Sequence, residues 1–276
     1  MSSSPFARER TVAEAAAREA GALIRQHAGH LGAEAVRAKG THDLVTVMDE
    51  EAQRLIIARL QEAFPNDAIL AEEGADEAAP ASVKGRRWII DPIDGTTNFT
   101  HGVPPYAVSI GLQDGSDLVL GAVYDVPHDE LFLAARGEGL TLNGGPAGVS
   151  TADTLDASLI ATGVPFRDYR YVEGYLAAFE RVMRGTRGIR RHGSAAMDLA
   201  WVACGRFDGF FEAGLSPWDV AAGVLLVREG GGRVAGLSAG ADPVFSGGLV
   251  ASNGRLHEAL AEAVGPLREA YGAVTI

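Results

Sequence analysis

The stretch WIIDPIDGTTNF, residues 88–99, gives the clearest structural signal in the chain. Its first residues are bulky and apolar, which predicts a short buried strand that ends on Asp91. Because open α/β sheets bind ligands at the carboxyl ends of their strands, Asp91 is predicted to lie at a site. Pro92 stiffens the turn that follows, and Gly95 permits a tight backbone beside Asp94, where a helix is expected to begin. The pattern therefore places two carboxylates beside a turn whose amides can face an anion.

Asp91 and Asp94 repel each other unless one is protonated or a cation bridges them. Oxygen-only ligands of this kind suit magnesium, manganese or calcium rather than zinc. A pair with this spacing alone is more often a turn and a helix cap. Further acids favour a metal site, because Glu72 and Glu73 also follow a predicted strand and Asp219 opens an apolar helix. We therefore predict that these acids converge on one cleft.

The rest of the chain alternates between strand and helix signatures. Helices are predicted over residues 11–28, 49–64, 171–184, 194–204, 218–229 and 255–270. Strands are predicted at 68–70, 88–90, 107–112, 118–125, 130–136, 158–163, 188–192 and 208–212, with a turn at Asn143-Gly144. Strands that alternate with helices favour a layered α/β (α+β) arrangement. The change of pattern near residue 150 predicts two halves packed as one unit: residues 1–150 with most of the acids, and residues 151–276 with Asp219.

Bulk composition narrows the class of protein. With 276 residues, 47% of them hydrophobic, the chain can bury a large core. A net charge of −12 argues against nucleic acid or an anionic membrane surface as a partner. The single cysteine, Cys204, excludes an intrachain disulfide and suits a reducing cytoplasm. The amino terminus has no apolar signal-peptide core, and no apolar run reaches the roughly 20 residues of a membrane span, so we expect a soluble cytoplasmic chain.

Several segments together resemble the inositol monophosphatase family, in the order in which that family has them. The matching segments are DLVTVMD at 43–49, AEEG at 71–74, WIIDPIDGTTNF at 88–99, RRHGSAAMDLAW at 190–201 and PWDVAAG at 217–223. With their flanks they span about residues 39–232, which is most of the chain. The segments look most like those of bacterial members. The resemblance implies a layered αβαβα sandwich, the fold shared with fructose bisphosphatases.

The resemblance also implies a set of site residues. The implied metal-binding set is Glu72, Asp91, the backbone carbonyl oxygen of Ile93, Asp94 and Asp219. The implied catalytic set is Glu72 together with Thr96 and, behind it, Asp49, which position the attacking water. The implied substrate-binding set is Lys39, Gly95, Thr96, Gly193, Ser194, Ala195 and Glu212, with Glu212 contacting the polyol. The second half of the chain therefore carries most of the polyol contacts and the last metal ligand.

The reaction implied by the resemblance is hydrolysis of inositol monophosphate to inositol and phosphate, by direct attack of water and without a phospho-enzyme. Displacement at a phosphate monoester needs positive charge beside the attacking and leaving oxygens, which paired metal ions about 4 Å apart supply. Two or three magnesium ions are the implied cofactors, with manganese as a substitute and calcium and lithium as inhibitors. The metal ions also offset the repulsion between an acidic chain and an anionic substrate. Family members usually form homodimers, so a homodimer is expected.

Other functions fit parts of the same pattern. Within the superfamily, the alternatives are a fructose bisphosphatase, a bisphosphate nucleotidase and a histidinol-phosphate phosphatase. The chain has little room for the insertions of nucleotidases, and the small residues of GSAAMDLA (193–200) leave space for a polyol. The RRHG segment (190–193) resembles a histidine phosphatase motif, but its position in mid-chain before a helix favours a structural His192. From another class, a regulatory protein that binds the transcription or translation machinery is the alternative, although the intact ligand set argues against a purely non-catalytic role.

Overall fold

The computed structural model describes residues 4–29, 36–40, 43–74 and 80–274. Its helices are α1 (Ala7–His27), α2 (Val47–Ala63), α3 (Thr96–Thr100), α4 (Val172–Gly185), α5 (Ala195–Ala203), α6 (Pro217–Glu229), α7 (His257–Ala263) and α8 (Gly265–Val274). Its strands are β1 (Val36–Gly40), β2 (Asp43–Thr46), β3 (Ala68–Ala71), β4 (Arg86–Asp94), β5 (Ala107–Asp114), β6 (Asp117–Asp125), β7 (Glu130–Ala135), β8 (Leu140–Leu142), β9 (Gly145–Ala147), β10 (Leu159–Thr162), β11 (Gly188–Arg190), β12 (Gly209–Ala213), β13 (Arg233–Gly236) and β14 (Gly248–Ser252).

Two large sheets and three layers of helices form an αβαβα sandwich, which confirms the predicted fold. The larger sheet has the order β3-β4-β5-β6-β7-β8-β9, the smaller has the order β11-β10-β12-β14-β13, and β1 pairs with β2 alone. Helices α1 and α2 cover the larger sheet, α5 and α6 pack between the sheets, and α4, α7 and α8 cover the smaller sheet. The larger sheet precedes residue 150 and the smaller follows it. The division of the chain into two halves stays a prediction that this arrangement supports.

Helix α6 lies between the two sheets and is buried on every face over residues 220–227. A helix that is apolar all round belongs in the interior. It lies close to the larger sheet because Gly121 on β6 has no side chain: a Cβ there would be 2.6 Å from the carbonyl oxygen of Ala222. This close packing fixes the first turn of α6, and with it Asp219.

Strand β4 continues to Asp94, so the prediction that it ends on Asp91 was wrong. Asp91 pairs with Ser109 of β5, and the next pair joins Asp94 to Ala107, so three steps on β4 oppose two on β5. This is a β-bulge, and Pro92 fits there because a bulge tolerates a residue without an amide hydrogen. Bulges redirect side chains, and both carboxylates of the bulge line the same cleft.

The antiparallel strands predicted in mid-chain are confirmed as β5, β6 and β7. Asn143 and Gly144, with φ of 48° and 78°, form the predicted turn between β8 and β9. The single helix predicted over 255–270 was wrong, because α7 and α8 are separate helices. Pro266 lies in the first turn of α8, and its lack of an amide hydrogen prevents it from continuing the α7 hydrogen bonds. Among the described residues, no helix combines the length and apolarity needed to cross a bilayer.

Candidate active site

A cleft of about 1150 Å³ lies where β3, β4, β10 and β12 end near the first turns of α5 and α6. The predicted site residues that line it are Glu72, Asp91, Ile93, Asp94, Gly95, Thr96, Gly193, Ser194, Ala195, Glu212 and Asp219. Asp49 lies behind this lining and contacts Thr96. Lys39 lies on β1, and its side chain is outside the described part of the chain. The structure thus brings most of the predicted residues into one cleft, and their roles stay predictions.

Asp91, Asp94 and Asp219 form a carboxylate triad, in which one oxygen of each lies within 4.8 Å of the others. Burial and the neighbouring negative charges raise the pKa of both Asp94 and Asp219 to about 7. Burial, followed by the charge of Glu72, raises the pKa of Asp91 well above its usual value. Carboxylates that oppose one another's ionisation are stabilised by a divalent cation, and oxygen donors fit magnesium. The triad therefore fits the metal that the sequence predicts.

Two members of the triad are held by the starts of helices. Asp94 accepts hydrogen bonds from the Ser194 hydroxyl at 2.6 Å and from the Ala196 amide at 2.7 Å, both at the start of α5. Asp219 accepts from the Ser216 amide at 2.8 Å in a capping box that begins α6. Amides at a helix start favour a negative charge. These bonds fix the orientation of both carboxylates. They also favour the ionised form of each carboxylate, which burial disfavours.

Glu72 follows β3 and lines the cleft. Its amide donates a hydrogen bond of 3.1 Å to the carbonyl oxygen of Ile90. The side chain of Gln53 on α2 donates to the Glu73 carbonyl oxygen at 2.8 Å and accepts from the Glu73 amide at 2.9 Å. Gln53 therefore fixes the loop that carries Glu72. Gln53 was not predicted, because a single glutamine on a helix belongs to no motif.

Half-buried Thr96 and buried Asp49 form a pair at the edge of the cleft. The Thr96 hydroxyl lies 3.1 Å from Asp49 Oδ1 and 3.0 Å from the carbonyl oxygen of Ile93. The other oxygen of Asp49 accepts from the amide and hydroxyl of Thr46 at 2.7 and 2.6 Å. Burial raises the pKa of Asp49 to about 6 despite these bonds. At neutral pH Asp49 is still largely ionised, so it attracts the hydroxyl hydrogen and leaves the lone pairs of Thr96 as acceptors.

Glu212 lies on β12 and is half-buried. Its carboxylate fills the space beside Gly163, where any side chain would overlap it. Burial raises the pKa of Glu212 well above its usual value, and Asp198 and the triad raise it further, while Arg191 opposes them. Glu212 has no hydrogen-bond partner within the described residues. Its oxygens are therefore available to a ligand that donates hydrogen bonds.

Two glycines allow the loops of the cleft to lie close together. Gly95 has a φ of 94°, and a Cβ there would lie 3.1 Å from the carbonyl oxygen of Pro105 and 3.3 Å from that of Gly193. Gly193 has a φ of 83° and lies under the Arg191 guanidinium. Side chains at either position would strain the backbone and separate the start of α3 from the start of α5.

His192 and Cys204 occupy structural positions. The Nδ1 atom of His192 lies 3.2 Å from the buried carboxylate of Asp198, and its ring stacks on Phe207 at 5.3 Å between centroids. Burial raises the pKa of the Cys204 thiol, which disfavours the nucleophilic thiolate. These surroundings support the structural interpretation made from the sequence.

The sequence analysis missed the loop that follows β10. Phe166, Arg167 and Tyr171 of this loop line the cleft. Arg167 is close enough to Asp219 to oppose the burial that raises the pKa of that carboxyl. The position of the loop after a parallel strand is the signal that could have found it. No acidic or glycine motif marks it in the sequence.

Comparisons with known proteins cover nearly the whole chain. The model of the inositol monophosphatase family matches residues 7–269. The chain is 42% identical to the Nus factor SuhB of Pseudomonas aeruginosa over 257 residues, which are 92% of this chain and 95% of that protein. It is 41% identical to the inositol-1-monophosphatase of Mesorhizobium japonicum over 250 residues, 90% of this chain and 93% of that protein. The solved structure of the Thermotoga maritima IMPase has a TM-score of 0.84 at 35% identity, covering 96% of this chain and 98% of that one.

Proposed function

Because the chain belongs to the inositol monophosphatase family, we propose that it is a magnesium-dependent phosphatase that hydrolyses inositol monophosphate to inositol and phosphate. One observation carries the proposal: a single cleft holds the carboxylate triad and, apart from it, a carboxylate suited to hydroxyl groups. The triad supports metal-assisted cleavage of a phosphate ester, and Glu212 supports a leaving group with several hydroxyls. Fructose bisphosphate and histidinol phosphate are the competing substrates for the same fold.

Magnesium would be held by Glu72, Asp91, Asp94, Asp219 and the carbonyl oxygen of Ile93. When bound, magnesium supplies positive charge that polarises a phosphate ester and makes water more acidic. The chain contributes the fixed direction of the ligands: the starts of α5 and α6 orient Asp94 and Asp219. The carbonyl oxygen of Ile93 lies 3.0 Å from the Thr96 hydroxyl oxygen, and because the hydroxyl hydrogen is directed to Asp49, the lone pairs of this carbonyl are left for a cation.

The Thr96–Asp49 pair would orient the attacking water. Asp49 is fixed by two bonds from Thr46 and accepts the Thr96 hydroxyl hydrogen. The Thr96 oxygen can then accept a hydrogen bond from a water molecule, which points a lone pair of that water away from Thr96. Orientation of this kind lowers the entropy that must be lost at the transition state. Asp49 thus acts through Thr96 without contacting the substrate.

Glu212 would bind the polyol that leaves. A carboxylate cannot stabilise a phosphate, because like charges repel. It can accept hydrogen bonds from ring hydroxyls, and its position against Gly163 keeps both oxygens at the surface of the cleft. Small side chains at Ala195 and Gly193 leave room for the ring beside it.

Phosphate release by the purified protein tests the proposal. The substrates are inositol 1-phosphate, fructose 1,6-bisphosphate, histidinol phosphate and p-nitrophenyl phosphate, each assayed over a magnesium series and with excess chelator. We expect the highest kcat/KM on inositol 1-phosphate and no turnover in chelator. Full activity in chelator would refute the metal mechanism. A clear preference for another ester would support the phosphatase activity but would replace inositol 1-phosphate as the proposed substrate.

Lithium inhibition and homodimer formation are further parts of the proposal, resting on the family alone. Lithium is expected to inhibit uncompetitively with respect to inositol 1-phosphate, and manganese to replace magnesium. Light scattering at micromolar concentration is expected to give twice the chain mass of 28.8 kDa. Resistance to high lithium concentrations or a monomeric mass would each contradict the corresponding part.

The relatives named Nus factor SuhB favour a second candidate function, association with the transcription machinery. This function does not require the chain itself to bind nucleic acid, which its net charge of −12 opposes. Gel filtration of the protein with purified bacterial RNA polymerase and transcription factors tests it. Co-elution by both the parent and an inactive Asp91→Asn variant would show an association independent of hydrolysis. Separate elution under all conditions would reject the candidate.

A further inference from the structure

Arg191 and Arg167 are the cationic side chains among the described residues that line the cleft, whose other charged side chains are acidic. Arg191 follows β11 directly and lines the cleft, and its side chain is exposed. Its guanidinium lies over the Phe166 ring, with Cζ 5.1 Å from the ring centroid. Its Nη1 lies against Gly193, where a Cβ would be only 2.6 Å away. The ring and the bare glycine backbone therefore hold the guanidinium in place before any ligand binds.

The hydrogen-bonding edge of this guanidinium is unused. Within the described residues Arg191 makes no ion pair and no hydrogen bond, although two carboxyls, Asp198 and Glu212, are near enough for its charge to oppose the burial that raises their pKa. Stacking on a ring occupies the face of a guanidinium and leaves its N–H groups directed outward. Such a planar fork matches the two oxygens of a phosphate or carboxylate.

The lining of the cleft places Arg191 in reach of a bound substrate. Glu212, Gly193 and the triad line the same cleft as Arg191, and the Arg191 guanidinium lies against Gly193. A substrate with its reacting phosphate at the triad and its hydroxyls at Glu212 would therefore have Arg191 beside it on the same wall.

The fold supports the same placement. Strands β11, β10 and β12 are neighbours and run parallel. Their carboxyl ends deliver Arg191, the loop with Phe166 and Arg167, and Glu212 to one edge of the sheet, where open α/β sheets bind ligands. Arg167, from the middle strand of the three, adds a second guanidinium to the same wall.

We propose that Arg191, which packs on Phe166 and Gly193, forms a subsite for a second anionic group of the substrate, separate from the phosphate that reacts at the triad. Polyol or sugar phosphates that carry a further phosphate or carboxylate would then bind more tightly than they would without Arg191, whereas inositol 1-phosphate has no group for this subsite. This inference rests on the proposed phosphatase function and adds a further class of substrate to it. The alternative explanation is that Arg191 only neutralises Glu212 and Asp198, in which case it would affect every substrate that contacts Glu212.

Selectivity between two matched substrates separates these explanations. The parent, Arg191→Met and Arg190→Met are compared on fructose 1,6-bisphosphate and inositol 1-phosphate with magnesium present. Methionine keeps the apolar contact with Phe166 and removes the charge. For Arg191→Met we expect the ratio of kcat/KM for the bisphosphate to that for the monophosphate to fall about 10-fold, mainly through KM. Arg190 is exposed and lies outside the cleft lining, so Arg190→Met should keep the parent ratio.

The results distinguish the subsite from the alternative explanation and from failure of the proposed function. The subsite is supported if the ratio falls for Arg191→Met and not for Arg190→Met, and if added salt makes this fall smaller. Salt should have that effect because ions screen exposed charges. An equal loss on both substrates, or an unchanged ratio, overturns it and leaves the phosphatase function standing. Carboxylate-bearing and phosphate-bearing sugar monophosphates, used as competing ligands, show which anion the subsite prefers. A parent protein that releases phosphate from no ester would instead reject the proposed function itself.

Discussion

The two walls of the cleft are built on different principles. The triad wall (Asp91, Asp94 and Asp219) is made of carboxylates that accept hydrogen bonds from nearby backbone amides, two of them at helix starts. The outer wall (Glu212 and Arg191) has side chains that rest on glycines and make no hydrogen bond within the described residues. The first wall is fixed before a ligand arrives, whereas the second keeps its polar edges for the ligand.

The difference indicates how the work of the site is divided. Groups that face the reacting phosphate must be held in one geometry, because small displacements lower the rate sharply. Groups that select the leaving part of the substrate need only present the right charge at the right distance. Changes in the triad wall should therefore act on every substrate, and changes in the outer wall should act on some.

The largest effect is expected for Asp94→Asn. Asparagine is nearly the same size and can still accept from Ser194 and the Ala196 amide, but it removes one negative charge from the triad. We expect kcat/KM to fall by more than about 1,000-fold on all esters, the equivalent of several kcal/mol of lost metal catalysis. Circular dichroism should show an unchanged fold. A substrate-dependent loss would contradict the role of the triad wall.

A smaller uniform loss is expected for Thr96→Val. Valine keeps the shape of the side chain but removes the hydroxyl that links Asp49 to the cleft. Loss of an oriented proton acceptor should lower kcat by about 100-fold and leave KM nearly unchanged. Thr96→Ser, which restores the hydroxyl, is the matched control and should recover most of the rate. Equal losses in Thr96→Ser and Thr96→Val would show that the methyl group, not the hydroxyl, matters.

A selective loss is expected for Glu212→Gln. A charged acceptor contributes about 1.5–3 kcal/mol to a hydrogen bond, so kcat/KM for inositol 1-phosphate should fall about 10-fold or more. The loss on p-nitrophenyl phosphate should be much smaller, because that ester offers no hydroxyl. The two substrates are compared with the same enzyme preparations. An equal loss on both substrates would show that Glu212 acts with the triad wall. No loss on either substrate would show that Glu212 does not contact the substrate.

The smallest effect concerns stability without metal. In the folded chain the pKa of Asp94 and of Asp219 is raised to about 7, far above that of an unfolded aspartate. The folded state then binds protons that the unfolded state has released, so its stability falls as pH rises from about 4 to about 7. In chelator, the melting temperature should rise by about 2–4 °C between pH 8 and pH 6.

Asp94→Asn is the control for this pH dependence, because it removes one of the buried titrating groups and should make the curve shallower. Saturating magnesium should also flatten it, since bound metal keeps the carboxylates ionised. A melting temperature that falls on acidification in chelator would show that the triad is not under electrostatic strain.

Sequence reasoning recovered the triad wall much better than the outer wall. Asp91, Asp94 and Asp219 lie in short motifs with local turn and cap signals, so their convergence could be predicted. The bulge at Pro92 was hidden, because an apolar run followed by proline resembles a strand end. The outer wall depends on which strands of the smaller sheet are neighbours, and this order is set by long-range packing. Glu212 was expected from the family resemblance alone, and Phe166 and Arg167 of the loop beside this wall were not predicted.

The acids at helix starts constrain how the sequence of such a protein can change during evolution. Asp49 caps α2, Asp219 caps α6 and Asp94 binds the first turn of α5, so each has a structural duty apart from the chemistry. Asp91 accepts from the amide of Ile93, two residues along its own strand, and caps none of the described helices. Relatives that keep the fold but no longer hydrolyse phosphate esters are therefore expected to lose Asp91 first. They are expected to keep Asp49, Asp94 and Asp219.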